Sequence, residues 1–98
     1  MKAVKFAYDE KIQGQCQKVA VDCWFTATGR MMPQMLKYMD EEGCLHTVKN
    51  IHVKSREKKH FAGISSQQFK CSAVLNDRVW EFVLLFNQRD GVWDMILQ

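Results

Sequence analysis

The segment from Arg78 to the C-terminus constrains this chain most, because it reads as a β-hairpin with almost no polar face. Trp80, Phe82, Leu84 and Phe86 fall on one side of an extended strand, and Val79, Val83 and Leu85 on the other, since successive side chains alternate. Glu81 is the only charge before the turn Asn87-Gln88-Arg89-Asp90-Gly91, after which Val92-Trp93-Asp94-Met95-Ile96-Leu97 resumes the strand. A strand apolar on both faces has to be covered on both. The cover is the rest of a small barrel, a terminal segment or a second copy of the chain. The pattern sets a fold class and names no reaction.

Other segments alternate in the same way. Lys18 to Thr28 places Val19, Val21, Cys23, Phe25 and Ala27 on one face and is rich in β-branched and aromatic residues. Gly29-Arg30 ends it. Gln34 to Met39 is read as a strand rather than a helix, being too short for a stable helix before the acidic turn Asp40-Glu41-Glu42-Gly43. Pro33, which has no N–H to give, belongs at the strand start or on an exposed edge. Cys44 to Lys54 follows with a bulge expected near Lys49-Asn50, and Ser55 to Gln68 reads as a long non-strand stretch. Phe69, Cys71, Ala73 and Leu75 restart the alternation, and Asn76-Asp77 has the spacing of a two-residue hairpin turn. Near the N-terminus, Val4, Phe6 and Tyr8 read as a short strand.

The expectation is an all-β chain of five or six antiparallel strands, curled into a small barrel or a strongly bent sheet because closure removes exposed edges. An SH3-like barrel comes first and an OB-like barrel second. The expected core joins Trp80, Phe82, Leu84, Phe86, Trp93 and Met95 to Val21, Cys23, Phe25, Ile51 and Val53. At 98 residues there is room for one domain, 1–98, with 1–17 as a loosely attached segment.

The pattern Trp24-Phe25-Thr26-Ala27-Thr28-Gly29-Arg30, then Asp40-Glu41-Glu42-Gly43, Ala62-Gly63-Ile64 and Lys70-Cys71 resembles short uncharacterised proteins of Gram-positive bacteria. No activity is attached to that family, so the resemblance implies no functional residues.

Composition narrows the classes. With 47% hydrophobic and 26% charged residues the chain is an ordinary globular one. No apolar run is long enough for a membrane span, and the N-terminus has no apolar stretch of the secretory kind, so a cytoplasmic protein is expected. Cys16, Cys23, Cys44 and Cys71 form no CxxC pair and are read as reduced thiols. Cys44 and His46 share a strand face, but a zinc site needs four converging ligands, and no metal or cofactor is expected. Ser65-Ser66 lies in no nucleophile elbow, and the glycines build no phosphate loop, so the chain is read as non-enzymatic.

Two binding readings remain. The first is a protein-interaction or self-associating module. Val83, Leu85 and Ile96 form an apolar face that needs a cover, which a homodimer would supply, and the clustered Met31, Met32, Met35 and Met39 offer an adaptable contact surface. The alternative is nucleic-acid binding through Lys49, Lys54, Arg56, Lys58, Lys59 and Phe61, with basic groups for phosphates and a ring for stacking.

Overall fold

Two-residue turns set the register of the sheet's C-terminal half. Asn76 and Asp77 take φ of 53° and 61°, and Ala62 and Gly63 take 51° and 80°. Left-handed backbone at both central positions is the turn whose twist matches paired strands. The computed structural model describes residues 16–98; the strand expected at Val4, Phe6 and Tyr8 lies outside the described residues. The strands are β1 (Cys16–Phe25), β2 (Met31–Met39), β3 (Leu45–Val48), β4 (His52–Phe61), β5 (Ile64–Leu75), β6 (Arg78–Asn87) and β7 (Val92–Leu97). They form one antiparallel sheet in the order β3-β2-β1-β7-β6-β5-β4, curled into a half-barrel. No helix among the described residues is long and apolar enough to cross a membrane.

The all-β class is as expected, but the described residues form seven strands rather than five or six. The difference lies in two places. The bulge expected near Lys49-Asn50 is a full break, with Asn50 at φ 55°, so Cys44 to Lys54 contributes to two strands. Ser55 to Gln68 is not a loop: β4 runs through Ser55-Arg56-Glu57-Lys58-Lys59-His60 and pairs with β5 along its length. A polar edge strand lacks the alternation of a half-buried one, which hides it from a reading by hydrophobic pattern.

That break also closes the fold. β3 and β4 are opposite edges of the sheet, yet only Lys49, Asn50 and Ile51 join them. From Val48 to His52 the chain can span at most ~14 Å, so the two edges must meet there. The seam is fastened by Ile51 N–H donating to the Gln34 carbonyl at 3.0 Å. Gln34 is available because β2 bulges at that point: Asp22 lies opposite Met35 and Cys23 opposite Pro33, leaving Gln34 with no β1 partner. Pro33 is fully buried at this bulge, in the stretch of β2 that β3 does not reach, so its missing N–H breaks no ladder.

The half-barrel is filled. Phe69, Cys71, Phe82, Leu84, Trp93 and Met95 are buried inside it together with Met31, Leu36, Val48 and Ala73. Phe69 and Trp93 lie 5.7 Å apart, and Phe86 and Trp93 4.9 Å apart, as tilted rings. Val21, Cys23, Ile51, Val53, Trp80 and Phe86 pack around this cluster as expected. Phe25 does not belong to it. It is 65% exposed at the end of β1, beyond the packed interior.

Candidate interaction site

β4 distributes the basic segment over different surroundings, because a strand alternates its side chains between two faces. Arg56 lies opposite Phe69 and points inward, with its guanidinium 5.6 Å from the centre of that ring. It donates to the Met31 carbonyl at 2.6 Å, across the seam that β2 and β4 leave without a ladder. Burial and the neighbouring Arg30 both lower its pKa, and a guanidinium remains charged all the same. Gln67 Nε2 reaches Met31 Sδ at 3.2 Å beside it. Lys54, the extra residue of a bulge between Val53 and Ser55, pairs with Glu81. Lys59 pairs with Glu57 at 3.3 Å. Lys49 and Lys58 are exposed and enter no ion pair among the described residues. The structure thus separates residues that the sequence places in one run, and Arg56 is a structural contact inside the seam.

Val83, Leu85 and Ile96 do come together, on the face of β6 and β7 opposite the interior, with Cys16 beside them. They are 1%, 2% and 0% exposed within the single chain. The reason for offering them to a second copy, an uncovered apolar face, is therefore removed. The same face buries Ser66 and Gln68, and Gln68 Oε1 has no hydrogen-bond partner among the described residues.

Exposed apolar surface lies elsewhere, on β1, β2 and β3 and at the smaller Val74–Val79 pair across β5 and β6. Trp24, 67% exposed, faces Met32 across the β1–β2 pair, and Met39 faces the exposed Leu45 across β2–β3. Between them Met35 lies opposite Asp22 and Lys37 opposite Ala20. Only Met31 of the clustered methionines is buried, whereas Met39 stands largely in solvent. The bulge at Gln34 is the cause: it switches the parity of β2, so that Met31 and Pro33 point inward before it and Leu36 after it. No sequence signal marked that switch apart from Pro33 itself.

Cys44 is exposed, and His46 is held by Asp40 at 2.7 Å and stacked on Tyr38 with centroids 5.0 Å apart. The His46 contact, followed by the Cys44 N–H, keeps the Asp40 carboxyl below its usual range. These contacts order the β2–β3 turn. Among the described residues no group of three or more His, Cys, Asp or Glu is placed to hold a metal ion. His60 and Ser65 hydrogen-bond at 2.9 Å on the exposed β4–β5 pair. Among the described residues no third side chain orients that pair, and its plain role is to join neighbouring strands.

No protein-family model, curated protein or solved structure matches the chain.

Proposed function

We propose that this chain is a binding module that acts through protein–protein contact, with the outer face of β1, β2 and β3 as its surface. The observation that carries the reading is the pair of uncovered cross-strand contacts, Trp24 with Met32 and Met39 with Leu45, on one sheet face with Met35 between them. An apolar face of this kind suits a partner that excludes water from it. Unbranched thioether side chains adapt their shape to what they meet, so the face tolerates an irregular partner. Small β-barrels of several kinds bind in comparable ways, an analogy at the level of fold.

Site-specific photo-crosslinking tests the reading in the producing cell. A crosslinking residue at Met39 or Met32 is expected to give discrete protein adducts that disappear in the Met35→Lys background. The same residue at Lys58, on the opposite edge strand β4, is the control. Equal labelling at all positions, or adducts to nucleic acid alone, overturns the reading.

A second reading keeps nucleic acid as the partner, favoured by the closeness of Arg30 to Arg56 and by the uncommitted Lys49 and Lys58. With Arg56, Lys54 and Lys59 engaged in the fold, few cations remain for phosphates. A duplex held by three of them would show a log–log salt slope of about −2.7. A flat salt dependence removes this reading.

A further inference from the structure

The upper half of β1 is a strand edge that no strand among the described residues pairs on its second side. β1 joins β7 only from Cys16 to Val19 and joins β2 only from Ala20 to Phe25, so its upper half has a partner on one side alone. The two strands part in a wedge of about 380 Å³ between Lys18–Val21 and Gly91–Trp93. A free strand edge presents a row of unpaired N–H and C=O groups, and proteins normally blunt such edges. β4 is blunted by Lys54 in a bulge, by Lys58 and Lys59, and by the inward Arg56. β3 is blunted by length, having 4 residues. The upper half of β1, Ala20-Val21-Asp22-Cys23-Trp24-Phe25, has no lysine, no proline and a single charge. It ends in two aromatic residues, 67% and 65% exposed.

We infer that this edge pairs with the same edge of a second copy, forming a symmetric antiparallel β1–β1 dimer. The inference goes beyond the outer-face reading, with which it shares only Trp24. Self-complementarity is what selects the second copy. In a continuous antiparallel sheet, inward residues must lie opposite inward residues, which limits the two-fold axis to whole residues of β1. An axis at Asp22 would set two carboxylates against each other, a destabilising arrangement. An axis at Cys23 sets Val21 of one copy opposite Phe25 of the other, and Asp22 opposite Trp24. The first is a favourable β-branched–aromatic pair, and no like charges meet. Each copy then covers both exposed rings of the other. The rings lose solvent along the flank that meets the partner strand, and the paired backbones add to this. The interface is at the small end of specific ones, so the dimer forms and dissociates with concentration.

Sedimentation velocity over a concentration series, joined to amide hydrogen exchange, tests this on the whole chain. A reversible monomer–dimer equilibrium is expected, with amide protection in residues 20–25 rising as dimer accumulates. Phe25→Lys is expected to abolish both while leaving the melting temperature near that of the parent, because Phe25 is outside the core. Met39→Glu, on the outer face, is expected to leave the dimer intact. A parent that stays monomeric through the millimolar range overturns the inference, as does concentration-dependent protection confined to 52–61. A dimer lost in Met39→Glu but kept in Phe25→Lys also overturns it while supporting the outer-face reading, so the two failures are told apart. Should Phe25→Lys unfold, the exchange pattern of the parent decides alone.

Discussion

Arg56 and Cys71 show what single positions contribute to closing the fold. The planar guanidinium of Arg56 lies over the ring of Phe69 and donates to the Met31 carbonyl, replacing a ladder bond that the seam lacks. A lysine cannot reproduce a stacked, directional donor, so Arg56→Lys is not a conservative change here. Arg56→Ala is expected to lower stability by about 1–3 kcal/mol in urea unfolding, since the carbonyl it serves loses its partner. Cys71 is buried against the core, and burial pushes its thiol up to about 12, against the smaller opposing effects of Arg56 and Lys54. In the unfolded chain the thiol ionises near 9.0. The unfolded state therefore loses its proton first, and the stability held by the neutral thiol is complete below that pH and falls as pH rises towards 12. Cys71→Ala is expected to be less stable at neutral pH, through the cavity it leaves, yet to show a shallower alkaline loss than the parent. Parallel alkaline profiles for the two proteins would show that Cys71 does not set that limb. From sequence, Cys71 was legible as a core residue by its alternation with Phe69 and Ala73. Arg56 was not legible, because its strand β4 carried no alternating pattern to place it opposite Phe69, and only the curl of the sheet brings Met31 to it.

At the scale of elements, β4 explains the basic segment without any ligand. A 10-residue strand at the edge of a sheet is a template for further pairing, and Lys58 and Lys59 oppose it by charge and solvation. Lys58→Thr with Lys59→Thr keeps the strand-forming tendency and removes that opposition. The double variant is expected to fold and then to associate through β4, seen as concentration-dependent light scattering that the parent does not show to the same degree. Scattering identical to the parent would mean that the lysines serve another purpose. Hairpins with strong local turns were readable from the sequence: Asn76-Asp77, Asp40 to Gly43 and Asn87 to Gly91 all turn where expected. Each carries its own conformational signal, either left-handed backbone or an Asx-type contact such as Asn87 Oδ1 accepting from Arg89 N–H. β4 carried no such signal, and Ala62-Gly63 adopts its turn with an alanine at positive φ that no turn preference marks.

For the whole molecule, the half-barrel separates two apolar clusters on opposite faces of β6 and β7. One fills the interior, and the other consists of Val83, Leu85 and Ile96 with Cys16 beside them. The doubly apolar hairpin announced both faces in the sequence. What it could not announce was whether the second face is satisfied within one chain or between two, because the same pattern serves either. All three residues are buried within the single chain, where they contribute to the stability of the monomer. That assignment has a consequence opposite to the one expected of an interface. Leu85 lies beside Gln68 of β5 and Asp94 of β7, and Asp94 in turn pairs with Lys18 at 3.0 Å, so its side chain is enclosed by neighbours on both flanks. Leu85→Ala is expected to lower stability by about 2–5 kcal/mol, the range for a buried leucine whose surroundings relax only in part. The same variant is expected to sediment as the parent does at every concentration where both are folded. A loss of dimer at unchanged melting temperature would return Leu85 to an interface, whereas a lower melting temperature with unchanged association places it under the chain's own cover.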